Sequence, residues 1–139
     1  MENASVNGDE IHGVLYKDLP YTVYPSDEIT IFVNTDDGYG GAHEYIFKTT
    51  TGKSGGKTEY LNEYESIQFV QKKDDGTIYA GVQDEQVIYI LLDRIKKLND
   101  RFPSVYNDKV LRGLRTALEG CEERVKERLE RGVLGELKK

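Results

Sequence analysis

The 139-residue chain carries 19 lysines and arginines against 25 aspartates and glutamates, a formal net charge of -6. That length suits one domain, or a small sheet followed by a helical hairpin, and the acidic balance excludes a sequence-independent binder of duplex DNA or of an anionic membrane, both of which need a basic surface. No apolar run approaches bilayer length, and the polar, acidic stretch 1–10 lacks the pattern of a secretory signal, so a soluble, non-secreted chain is expected.

In chain order, 1–10 reads as a disordered leader, because almost nothing in it is apolar. From Ile11 to 83 the texture becomes short runs rich in tyrosine, threonine and β-branched residues, broken by proline, glycine and aspartate, which predicts a small antiparallel sheet. Candidate strands are 14–16, 21–24, 28–34, 43–49, 65–72 and 77–82. Asp75-Gly76 between the last two is a hairpin signal, since glycine accepts positive φ. Alternation through 66–71 directs Ile67 and Phe69 at the core.

Two loops have ligand-like composition. Gly38, Gly40 and Gly41 around Tyr39 form either a turn or a place where backbone amides approach a ligand, and the turn is the simpler reading. The run Gly52 to Thr58 resembles a phosphate-binding loop, but that motif needs four residues between its glycines and three stand here. With no amphipathic helix behind it, it reads as a flexible lysine-bearing loop.

The stretch 84–139 predicts two helices folded back on each other. Asp84 and Glu85 suit a helix start, and Ile88, Leu91, Leu92, Ile95 and Leu98 fall on one face, expected to be buried. Pro103 disfavours helical geometry at Phe102, so the first helix should end near Arg101. Asn107 is the expected cap of the second helix, whose seam is Leu111, Leu114, Leu118, Cys121, Val125 and Leu129. Gly113, Ala117 and Gly120 make a small-residue strip beside the seam, at a cost of about 1 kcal/mol per glycine. Either another backbone packs closely there or the strip floors a site for a planar ligand.

Arg112, Arg115, Arg124, Arg128 and Arg131 follow at helical spacing, with Asp108, Glu119, Glu122 and Glu127 placed to relieve their repulsion. A solvated, salt-bridged face is one reading; a phosphate site is the other, because guanidinium groups offer paired planar donors. The lone Cys121 and the isolated His12 and His43 form no disulfide or metal framework. Ten tyrosines can stack on bases or finish a small core. No paired carboxylates and no nucleophile with a partnering histidine stand out, so a binding protein is expected rather than an enzyme, with no metal or cofactor. The fold class is α+β: a small antiparallel sheet and a C-terminal two-helix hairpin, together one compact domain.

The hairpin segments Asp84-Glu85-Gln86, Leu91-Leu92-Asp93-Arg94, Phe102-Pro103, Asn107, Ala117-Leu118, Arg124, Arg128 and Arg131-Gly132-Val133, with Gly135, resemble the hairpin of phage anti-defence sponges. One such family counters CBASS by holding cyclic nucleotides. The other counters Thoeris and carries a small β region before the hairpin, and this chain is similar to it through Gly40 to Tyr45, Ile67 to Phe69 and Gly81-Val82. The resemblance implies sequestration, without cleavage, of glyco-cyclic ADP-ribose in the cytoplasm of an infected bacterium, by a homo-oligomer, dimer or hexamer.

It also implies a pocket in which arginines hold the pyrophosphate (Arg115, with Arg112 second), an aromatic ring stacks on adenine (Phe102) and an amide reads ribose hydroxyls (Asn107). Arg124 and Arg128 are candidates for a second site that takes cyclic di- or trinucleotides. The alternatives are a sponge for CBASS cyclic oligonucleotides, a phage structural or regulatory oligomer that binds no ligand, and a cyclic-nucleotide hydrolase, for which no general base stands out.

Overall fold

A computed structural model describes residues 9–11, 14–18, 28–35 and 41–132. The chain divides into two compact units, Met1–Phe69 and Val70–Lys139, a boundary upstream of the helix start at Asp84. The fold is α+β, with antiparallel strands first and then two packed helices.

The first unit is a meander whose strands lie in sequence order: β1 (Asp9–Ile11), β2 (Val14–Asp18), β3 (Ile29–Asn34), β4 (Glu44–Ser54) and β5 (Lys57–Gln68). Every neighbouring pair is antiparallel. Asp9 and Glu10 therefore belong to a strand rather than to a leader. Their backbones pair with Tyr16 and Leu15, and ladder hydrogen bonds do not depend on side-chain polarity. The expected strand 21–24, residues 1–8 and the loop residues Gly38, Tyr39 and Gly40 lie outside the described residues.

The core of this unit is one residue from each of four adjacent strands: Tyr16, Phe32, Ile46 and Tyr60. Phe32 stands opposite Ile46 in the ladder, and its ring meets Tyr60 edge-on at 5.5 Å, the geometry in which a ring's positive edge faces a negative face. At the end of the row the buried Tyr16 hydroxyl donates to Glu44 Oε1 at 2.7 Å, and Asn34 Nδ2 donates to the same oxygen at 2.9 Å. Burial, with the Glu44 hydrogen bond and charge, holds the Tyr16 phenol above its ordinary range, so it stays a neutral donor.

Ile67 and Phe69 do not join that cluster. Ile67 pairs with Tyr45, whose ring packs edge-on to Phe69 at 5.8 Å, and Tyr45 neighbours the core residue Ile46 and so faces the other side of the sheet. The alternation is real, but period two says only which residues share a face, not which face is the core. The 65–72 run, read as one strand, is divided between β5 and a short strand of the second unit.

The glycine-rich stretch at Gly52 to Thr58 is the end of the β4–β5 hairpin rather than a flexible loop. Ser54 pairs with Lys57, and Gly55 and Gly56 have φ of +57° and +80°. A two-residue turn with both φ positive matches the twist of the strands it joins, which is why glycines stand there.

The second unit opens with the predicted Asp-Gly hairpin, β6 (Gln71–Lys72) and β7 (Ile78–Tyr79), as a separate two-stranded sheet. Gly76 turns at φ +88°, and the Asp75 carboxylate accepts the Thr77 N–H at 2.9 Å; the Thr77 side-chain hydrogen bond, and after it this backbone one, hold that carboxyl below its usual range. Next come α1 (Asp84–Arg101) and α2 (Val105–Arg131). Helix α1 starts and ends where the sequence places it. Gln86 folds its side-chain oxygen back onto the Gln83 N–H at 2.8 Å, and Phe102 before Pro103 leaves helical geometry at φ -131°, ψ 78°.

The start of α2 differs from expectation. Ser104, not Asn107, is the cap: its hydroxyl accepts Tyr106 N–H at 3.1 Å and Asn107 N–H at 3.4 Å. Asn107 lies inside the first turn and donates Nδ2 to Phe102 O at 3.4 Å. Serine wins because its hydroxyl reaches the free donors of the second and third helical residues as soon as the chain leaves proline. The apolar faces are also less covered than expected. Leu111 is buried, while Ile88, Leu92, Ile95, Leu114, Leu118 and Cys121 are half-buried and Leu91, Leu98, Val125 and Leu129 are exposed. Two helices share one seam, and each covers only a stripe of the other.

Candidate functional site

The seam opens into a groove at the bend end of the hairpin. One hollow of about 360 Å³ is lined by Lys96, Asn99 and Asp100 of α1 and by Asp108, Leu111, Arg112 and Arg115 of α2. A second, of about 410 Å³, adjoins it through Lys96, Asp100 and Arg115 and extends toward Tyr89, Leu92, Asp93 and Lys97. Both sizes lie in the range of roughly 300 to 1,000 Å³ usual for small-molecule sites. The helix repeat makes the lining. Positions 108, 111, 112 and 115 are one stripe of α2, and 89, 92, 93, 96, 97 and 100 are one stripe of α1.

Leu111 is the buried floor, Asn99 is half-buried, and the charged walls are exposed. In the first hollow three cations, Lys96, Arg112 and Arg115, face two carboxylates, Asp100 and Asp108. Among the described residues none of these cations makes an ion pair with an acidic side chain. Three basic residues elsewhere on the hairpin do, Lys97 with Asp93 at 2.8 Å, Arg131 with Glu127 one turn before it, and Arg124 with Asp84 and Glu85 at 3.4 and 3.5 Å, whereas Arg94, Arg101, Lys109, Lys126 and Arg128 stand without one among the described residues. Of the four reliefs the helical spacing suggested, only Glu127–Arg131 forms. Asp108 is engaged instead by Asn99, whose Nδ2 donates to Asp108 Oδ1 at 2.9 Å.

Chemically the groove offers donors for an anion beside acceptors for hydroxyl groups. It brings together Arg112 and Arg115 but not the other expected site residues. Phe102 stands at the bend, 65% exposed, under the Arg101 guanidinium at 5.4 Å, and Asn107 turns to the backbone of Phe102. Arg124 lies twelve residues beyond Arg112, about 18 Å along the helix, and bridges to the start of α1. Arg128 is half-buried one turn further. Lys96, Asn99 and Asp100 were not singled out from sequence, although they share the face that meets α2, and Asp108 was read only as an ion-pair partner. The ring that lines a hollow with Lys96 and Arg115 is Tyr89, 55% exposed, and Phe102 lines neither hollow.

Against known proteins the chain matches no family model, and no curated protein matches it.

Among the described residues no group of three histidines, cysteines, aspartates or glutamates is placed to hold a metal ion, and no helix is long and apolar enough to cross a membrane. Burial pushes the Cys121 thiol up and the Glu85 carboxylate adds to it, the reverse of an activated thiol. No backbone among the described residues packs closely on the small-residue strip, since a Cβ at Gly113 or Gly120 meets nothing within 4 Å. Gly113→Ala is therefore expected to stabilise the hairpin by about 0.5–1 kcal/mol in chemical denaturation. A loss of stability instead means that a neighbouring backbone needs the space.

Proposed function

We propose that this chain is a nucleotide sponge of the phage anti-defence kind, which holds glyco-cyclic ADP-ribose without cleaving it and so withholds the signal from a Thoeris effector. The observation that carries the reading is the set of cations without acidic partners, Lys96, Arg112 and Arg115, gathered in one groove with Asp100, Asp108 and Asn99 in a chain that is acidic overall. A pyrophosphate suits the guanidinium forks, and ribose hydroxyls suit the Asp100 carboxylate. The resemblance of the hairpin to such sponges points the same way.

An open groove gives a ligand one wall. The exposed Tyr89 ring on its lining is suited to a second copy of the chain that would supply the other, and this makes a homo-oligomer part of the proposal. Of the two ligand classes, the cyclic ADP-ribose type is favoured over cyclic oligonucleotides because Arg124 is already occupied by Asp84 and Glu85.

The test is recovery. Protein mixed with glyco-cyclic ADP-ribose, freed of unbound ligand and heat-denatured is expected to release the intact molecule in stoichiometric amount. Altered products would make the protein an enzyme, and release of nothing would end the sponge reading for this signal.

A further inference from the structure

Asn99 does two things at once near the end of α1. Its side-chain oxygen accepts the Ser104 N–H at 3.0 Å, which fixes the residue that caps α2, and its Nδ2 donates to Asp108 Oδ1 at 2.9 Å. A carboxamide suits this position because it is both acceptor and donor; a carboxylate has no proton to give, and an ammonium has no lone pair to offer.

The second bond bears on the groove. Asp108 precedes Arg112 by four residues, the spacing at which an acid and a base on a helix meet, yet among the described residues no ion pair joins them. We propose that Asn99 is a positioning residue that holds the Asp108 carboxylate away from Arg112, so that this guanidinium stays available to a diphosphate. The inference rests on the reading of the groove as an anion site. It assigns Asn99 to keeping the site open rather than to touching the ligand.

Full-length Asn99→Ala frees Asp108 to pair with Arg112, and a ligand must then displace an ion pair. Affinity for glyco-cyclic ADP-ribose and for inorganic pyrophosphate, read by calorimetry, is expected to fall about two- to fivefold, the size of an exposed pair that has to be broken first. Asn99→Ala combined with Asp108→Asn removes the competitor and is expected to recover the lost affinity. A double variant as weak as Asn99→Ala, or an Asn99→Ala variant that binds as wild type does, overturns the proposal.

Asn99→Ala also removes the acceptor for Ser104, so folding needs its own readout. A double-mutant cycle between Asp108 and Arg112, read by thermal unfolding, is expected to show no coupling with Asn99 present and coupling once Asn99 is alanine. If wild type binds neither probe, the anion-site reading falls and takes the ligand half of the proposal with it. The cycle then decides separately whether Asn99 holds Asp108 off Arg112, and coupling already present in wild type overturns that half too.

Discussion

Arg115→Ala is expected to weaken retention of glyco-cyclic ADP-ribose by roughly ten- to a hundredfold, because a charge-assisted hydrogen bond to an anion is worth about 1.5–3 kcal/mol and each 1.4 kcal/mol is a factor of ten. Arg115 lines both hollows and so lies at their junction. It is exposed and makes no ion pair among the described residues, so its removal orphans no buried partner, and stability should change by less than about 0.5 kcal/mol. Loss of affinity with the melting temperature unchanged is the signature of a ligand contact. Arg115→Lys keeps the charge without the planar fork and should fall between wild type and alanine. Arg124→Ala is the control: it breaks exposed pairs to Asp84 and Glu85 and should leave affinity where it was. If Arg115→Ala binds as tightly as wild type, the groove is not the site.

The largest stability effect is expected in the other unit. Phe32 is fully buried, faces Ile46 across the ladder and meets Tyr60 ring to ring, so Phe32→Ala should cost about 3–5 kcal/mol through lost transfer energy and the cavity left behind. Chemical denaturation followed by tyrosine near-UV signal would read it, since Tyr16 and Tyr60 sit in the same cluster. Phe32→Leu, which refills most of the space, should recover more than half of the loss. A cost below about 1 kcal/mol would mean that the strands are held together by something other than this cluster.

How much of this was legible in the sequence depended on whether the signal was local. The Asp75-Gly76 hairpin, the start of α1 at Asp84 and its end before Pro103 all appear where predicted, because turn chemistry and the steric demands of proline act over a few residues. The signals that misled were local features with a second meaning. Gly52 to Thr58 reads as a flexible lysine-bearing loop from its glycines, but what places Gly55 and Gly56 is the positive φ of a hairpin turn. Asn107 looks like a cap, yet Ser104 reaches the same donors from the position the chain occupies after the bend.

The site divides the same way. Helical spacing put Arg112 and Arg115 on one stripe, and charge chemistry named phosphate as what they suit. Spacing gives neighbours along a helix, but whether neighbours pair depends on what reaches them from elsewhere. Asn99, nine residues from Asp108 in the chain, claims its carboxylate and leaves Arg112 without that partner, while Asp84 and Glu85 come from forty and thirty-nine residues away to claim Arg124. Composition and periodicity by themselves determined an acidic α+β chain with a helical hairpin and a row of arginines, since each of those is written in residues close together. Which arginines remain available, and that Lys96, Asn99 and Asp100 stand opposite them, was decided by the antiparallel return of α2 along α1. Contacts between residues distant in sequence are set by packing, and no local pattern encodes them.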